Sequence, residues 1–177
     1  ALLVGSMLIT FLRHCDRIKI ACLAQLVNVI APIFTQTGGG IFAQTIFYPF
    51  EHLSNFGRGV ALNPIISSPK YDCKAYTDVP YLDSIATLDE ENETMTIFCV
   101  NKSMEDGVTL DVNLLDFEGY EPFEFISMDG YDKNDVNSFE NPFVKPHLNP
   151  LPTLDGKTLT ASLKPFSWNV IRLKKNK

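Results

Sequence analysis

Ile18-Lys19-Ile20-Ala21-Cys22-Leu23-Ala24-Gln25-Leu26-Val27-Asn28 is the stretch on which the fold of this 177-residue chain turns. After Lys19 it is apolar at consecutive positions as far as Ala24. A strand with one wet face alternates apolar and polar residues, whereas a parallel strand covered by helices on both faces does not. The pattern over 18–24 therefore predicts a short buried parallel strand. Upstream, Asp16-Arg17 marks a turn, preceded by the apolar run Ala1 to Leu12 ended by Arg13-His14. That run falls well short of the roughly 20 apolar residues a membrane helix needs, and no positive segment precedes it as in a signal peptide. It reads as a helix buried on most of its surface. Downstream, Pro32 and Gly38-Gly39-Gly40 break the chain, so 27–41 reads as a loop with some internal order. Thr45 to Asn55 follows as a helix, with Pro49 in its path and Gly57 and Gly59 as stops. Helix, buried strand, long loop and helix is the tail of an α/β unit. One such unit cannot close a sheet. Residues 1–58 are therefore expected to belong to a larger fold with more chain before Ala1, and Leu2, Leu3, Leu8, Ile9, Phe11 and Leu12 to need neighbours outside this chain.

From about residue 60 the period changes to two. Val108, Leu110, Val112 and Leu114 alternate with Thr109, Asp111 and Asn113, the mark of a half-buried strand. Met95, Ile97 and Cys99 alternate with Thr94, Thr96, Phe98 and Val100, and with Ser84 to Leu88 and the turn 89–93 they predict a hairpin. Leu159, Ala161 and Leu163 follow the turn Asp155-Gly156, and Ser167 to Leu173 carries the single tryptophan, Trp168. Residues 132–154 hold Pro142, Pro146, Pro150 and Pro152 and read as a long irregular connection. Short strands with no helical period between them argue for an antiparallel sandwich.

With 45% hydrophobic and 20% charged residues, the composition is that of a globular chain rather than a disordered one. The net charge of −6 offers no electrostatic footprint for nucleic acid. The basic cluster Arg172, Lys174, Lys175 and Lys177 reads as a solvated tail. Cys15, Cys22, Cys73 and Cys99 form no CxxC pair, so no metal site is implied; mostly buried, reduced thiols in a cytoplasmic protein are expected. Nothing in the pattern calls for a cofactor.

An acidic α/β-plus-sandwich chain suggests carbohydrate work, which calls for two carboxylates about 5 to 9.5 Å apart. In a (β/α)₈ barrel they would stand at the C-terminal ends of strands. The segment 24–28 offers none. Glu51 falls on the outer face of a predicted helix, while Glu90, Glu91, Glu93, Glu105 and Asp106 crowd turns, which favour such residues. His14, His52 and His147 form no motif with a serine or cysteine and read as capping or packing residues. Gly38-Gly39-Gly40 lacks the Lys-Ser/Thr ending of a phosphate loop. The informative polar residues are Gln25 and Asn28. At the mouth of a barrel strand, uncharged amides can hydrogen-bond sugar hydroxyls, or they can cap the strand-to-loop turn.

The run Leu12 to Ile33, continued by Gln44-Thr45-Ile46-Phe47-Tyr48-Pro49-Phe50 and Gly57-Arg58-Gly59, resembles the last strand region of family 51 glycoside hydrolases, the intracellular-type α-L-arabinofuranosidases. Ser167-Trp168-Asn169-Val170-Ile171-Arg172-Leu173 is similar to that family's closing strand. The resemblance implies a mixed fold: 1–58 as the last helix–strand–helix portion of a (β/α)₈ barrel, and 59–177 as a C-terminal antiparallel β-sandwich. It implies a parent enzyme that releases terminal arabinofuranosyl residues from oligosaccharides and polysaccharides with retention. The catalytic glutamates would lie upstream, leaving this chain inactive alone, with the remainder of the barrel or an oligomer partner completing it. The family places a glutamine at the end of the eighth strand against the arabinose, and Gln25 falls at that position; the family's tryptophan and tyrosine contacts have no counterpart here. The competing reading is a non-catalytic carbohydrate-binding or structural sandwich. Phe117, Phe123, Phe125, Phe166 and Trp168 lie in or beside strand-like segments, where core packing outweighs an exposed sugar platform.

Overall fold

A computed structural model describes residues 1–176. Helix α1 (Leu2–Arg13) turns its buried residues Gly5, Leu8 and Ile9 to one side, the spacing of a helical stripe. After an irregular stretch come β1 (Ile33–Thr35) and β2 (Ile41–Ala43), a small hairpin with Phe34 opposite Phe42. Helix α2 (Phe47–Phe56) follows. Pro49 is tolerated because it sits in the first turn, where backbone N–H groups have no helical partner. The strands then run β3 (Val60–Leu62), β4 (Lys70–Tyr71), β5 (Val79–Pro80), β6 (Leu82–Asp89), β7 (Thr94–Asn101), β8 (Val108–Asn113) and β9 (Tyr120–Met128). The chain closes with β10 (His147–Leu148), β11 (Thr153–Asp155), β12 (Thr158–Leu163) and β13 (Ser167–Lys175).

Two antiparallel sheets face each other: six strands in the order β10-β9-β13-β7-β6-β3, and three in the order β11-β12-β8. Between them lies one apolar core, with Met95, Ile97, Leu110, Phe125, Leu159, Leu163, Ile171 and Leu173 at its centre. The helices cover the opposite face of the larger sheet and form a second core. There Ile9 packs with Ile85, Phe98, Val100, Trp168 and Val170, while Leu2, Leu12, Tyr48, Leu53 and Phe56 pack around them. The expected hairpin is β6–β7, paired from Leu82↔Asn101 to Asp89↔Thr94. The strands expected at 108–114, 159–163 and 167–173 are β8, β12 and β13.

Several expectations are corrected. Ile18 to Ala24 forms no strand: it lies in an irregular segment with Ile20 83% exposed. A parallel strand needs at least one neighbouring strand for its N–H and C=O groups, and no described strand runs beside it. The apolar face of α1 does find partners within this chain, because Leu8 and Ile9 are buried against the larger sheet. The half-buried pattern expected over 108–114 is that of β8, while β6, β7 and β13 are covered on both faces. Strand β9 carried no clean alternation because Glu121, Pro122 and Glu124 interrupt it; the β9–β13 register shifts between Arg172 and Leu173, the latter opposite Pro122. Proline has no N–H for the ladder, so a shift there loses nothing. Of the cysteines only Cys99 is buried, where desolvation pushes its thiol up to about 12.

The helical layer is fastened to the sheet at three points. Arg13 pairs with Asp83 at 2.5 Å and donates to the Ser84 carbonyl at 2.8 Å. The Trp168 indole N–H donates to His52 Nδ1 at 3.0 Å, and the His52 ring stacks on Phe56. Gly5 lets α1 approach this pair, since a Cβ there would stand 2.6 Å from Trp168 Cε3. The guanidinium of Arg172 lies between the rings of Phe56 and Phe123, 4.1 and 4.8 Å from their centroids, and donates to Glu124 at 2.6 Å.

Candidate functional site

Gln25 stands exposed on a bend of the irregular segment, with φ of +47°; Asn28 and Val29 are also left-handed, at +62° and +59°. Non-glycine residues in that region are held there by surrounding contacts. Asn28 supplies them. Its side-chain oxygen accepts the Thr35 N–H at 2.8 Å, its amide donates to Thr35 Oγ1 at 3.0 Å, and its backbone N–H donates to the Ile33 carbonyl at 2.8 Å. Ala31 N–H returns to the Asn28 carbonyl, and Gln44 N–H reaches the Pro32 carbonyl at 2.7 Å. Of the two roles open to Asn28, capping is the one the geometry takes. Gln25 keeps its side chain on the surface, at the free end of a bend whose other end Asn28 fixes to β1.

The other chemistry-bearing residues sort by environment. His52 is the packing histidine anticipated: burial pushes its pKa down to about 4, against a smaller upward pull from Glu124. Accepting from Trp168 requires Nδ1 to be unprotonated, so the ring is neutral with its proton on Nε2. His147, read from the sequence as a capping or packing residue, lies 3.4 Å from Ser127 Oγ and 3.5 Å from Asp129 Oδ2. The pairing of β9 with β10 brings them together, with Ser127 opposite His147. This is not a nucleophile triad. The Ser127 hydroxyl donates to Asp129, accepts from Asn149 at 2.6 Å, and is wholly buried; Lys164 neutralises Asp129 from 3.1 Å. The group clasps the 129–149 connection to the sheet. Glu90, Glu91, Glu105 and Asp106 are exposed, as solvated turn residues are. A groove of about 660 Å³ opens between the sheets, lined by Leu62, Ile66, Met95, Leu110 and Phe117 among others. Asn63, Ser67, Asp111 and Asn113 add polar groups to its otherwise apolar wall.

Comparison with known proteins adds a history to this geometry. Residues 1–167 match the family model described as the α-L-arabinofuranosidase C-terminal domain. The chain is 54% identical over 175 residues to an intracellular exo-α-(1→5)-L-arabinofuranosidase 1 of Bacillus subtilis, a match that covers 99% of this chain and 35% of that protein. A Streptomyces lividans protein named intracellular exo-α-(1→5)-L-arabinofuranosidase is 41% identical over 173 residues, 97% of this chain and 26% of that one. Among solved structures, a family 51 α-L-arabinofuranosidase from Bifidobacterium longum superposes with a TM-score of 0.89 at 36% identity, covering 97% of this chain and 34% of its own. A family 51 enzyme from Thermotoga petrophila shares the fold with a TM-score of 0.85 at 24% identity. The chain thus spans between a quarter and about a third of the length of these relatives.

Proposed function

Since this chain belongs to the α-L-arabinofuranosidase C-terminal domain family, we propose that it is the C-terminal portion of a retaining glycoside hydrolase that releases terminal arabinofuranosyl residues from arabinose-containing oligosaccharides and polysaccharides. The observation that carries this is the 54% identity over 99% of the chain to a protein of that activity class. In this reading 1–58 closes the (β/α)₈ barrel, 59–177 is the sandwich, and the acid/base and nucleophile glutamates lie in the part of the enzyme upstream. Exposed Ile20 and Leu26, together with a backbone over 19–24 that makes no described backbone hydrogen bond, support assigning that segment to the eighth barrel strand, completed by strands from the rest of the barrel. Gln25 then stands at the mouth of the barrel as a hydrogen-bonding contact to the arabinose. The relatives' names carry the word intracellular, and the cytoplasm is the compartment proposed.

Double displacement needs both carboxyl roles, so the 177-residue chain alone is expected to give no turnover of an aryl arabinofuranoside. A chimera joining the upstream portion of the Bacillus subtilis relative to this chain is expected to hydrolyse it. A folded but inactive chimera, or turnover by the purified chain that survives removal of contaminating enzyme, overturns the reading.

A further inference from the structure

The irregular connection from Asp129 to His147 is long, yet Asn137 and Val144 within it are buried. Asn137 explains why. Its Oδ1 accepts the Val144 N–H at 2.8 Å, and its amide donates to the Val144 carbonyl at 2.9 Å. That is a strand-like exchange made by a side chain, and it cinches the loop upon itself. The same amide donates to the Ala43 carbonyl of β2 at 2.8 Å, across 94 residues of sequence. Beside it, Phe139 meets Phe42 edge-on with centroids 4.8 Å apart, and Phe42 stacks on Phe34 at 5.2 Å. The next residue after Phe34 is Thr35, which Asn28 holds through both its backbone and its hydroxyl. Only Leu26 and Val27 separate Asn28 from Gln25.

A continuous chain of contacts therefore runs from a loop of the sandwich, through an aromatic stack and a two-stranded hairpin, to the bend that carries Gln25. Residues held at left-handed φ relax when their restraints are removed, and small misplacements of a positioning group cost rate heavily. We propose that Asn137 and Phe139 are positioning residues for Gln25: the sandwich sets the placement of the amide that meets the arabinose. This rests on the reading of Gln25 as a sugar contact.

Two measurements test it. In the 177-residue chain, hydrogen exchange at the Ala31, Thr35, Gln36 and Gln44 amides is followed in Asn137→Ala and in Phe139→Ala, the latter a partly exposed ring whose loss spares the cores. Protection is expected to fall by about tenfold or more at these amides while β7 and β13 stay protected, and Phe139→Tyr is expected to restore it. Unchanged protection overturns the proposal. In the chimera described above, Asn137→Ala and Phe139→Ala are each expected to lower kcat/KM by about tenfold, and to lower it no further in a Gln25→Ala background. Losses that add to that of Gln25→Ala, or a damaging Gln25→Ala beside harmless loop variants, refute the positioning role alone. A Gln25→Ala variant with unchanged kcat/KM removes the sugar-contact reading itself, and this proposal with it.

Discussion

Residues 18–24 and residues 95–100 are equally apolar to the eye, yet one lies open to solvent and the other is sealed. Ile20 is 83% exposed, while Phe98, Cys99 and Val100 are fully buried. Neither hydrophobicity nor β-propensity separates them. Strand β7 has β6 and β13 on its two edges, the small sheet on one face and the helices on the other; the 18–24 segment has none of these. A strand is a property of its neighbours as much as of its own residues.

The sharpest way to break this contrast is at its sealed end. Trp168→Ala removes a wholly buried indole that stacks on Phe98 and bonds His52. The loss is expected to be about 3 to 5 kcal/mol by urea unfolding, with the helical layer losing protection first. A cost under 1 kcal/mol would show that the helices hold to the sheet by other means.

Acid should act on the same contact. His52 is neutral in the folded chain and titrates near 4, against an ordinary 6.5 when unfolded. Between those values the unfolded chain binds the extra proton, so stability is full above about pH 6.5 and falls as pH drops towards 4, by up to about 3 kcal/mol. Trp168, the single tryptophan, reports the change by fluorescence. If His52→Gln retains the same acid dependence, the titrating group is another.

Gly5→Ala is expected to cost about 1 to 3 kcal/mol from the forced contact with the Trp168 ring, against a gain near 1 kcal/mol in helix propensity. A raised melting temperature would mean that the ring yields. At the open end of the comparison, Ile20→Ser and Leu26→Ser should each shift the unfolding free energy by no more than about 0.5 kcal/mol. A larger loss in this chain would mean the segment is packed after all; a large loss confined to the chimera is what barrel membership requires.

The sequence by itself settled what local patterns can settle. Period-two alternation marked β7, β8 and β12, turn residues placed the β6–β7 hairpin, and the run before Arg13 marked α1. Residues 12–59 and 167–173 carried the family resemblance, and the family model and the relatives' identities agree with it. Tertiary structure alone decided the rest. It turned α1 onto the sandwich, because Leu8 and Ile9 bury area wherever a complementary face exists and Gly5 opens the way to Trp168. It made β9 a strand despite Pro122, because β13 offers a ladder that a register shift can accommodate. It brought His147 to Asp129, and Asn137 to Ala43, across 18 and 94 residues of intervening sequence numbering. Hydrogen bonds between loops leave no periodic trace in a sequence, since they depend on where two irregular segments meet rather than on spacing within either one. The same physics left 18–24 without a strand: its pattern states a preference for burial, and only neighbouring strands can satisfy it.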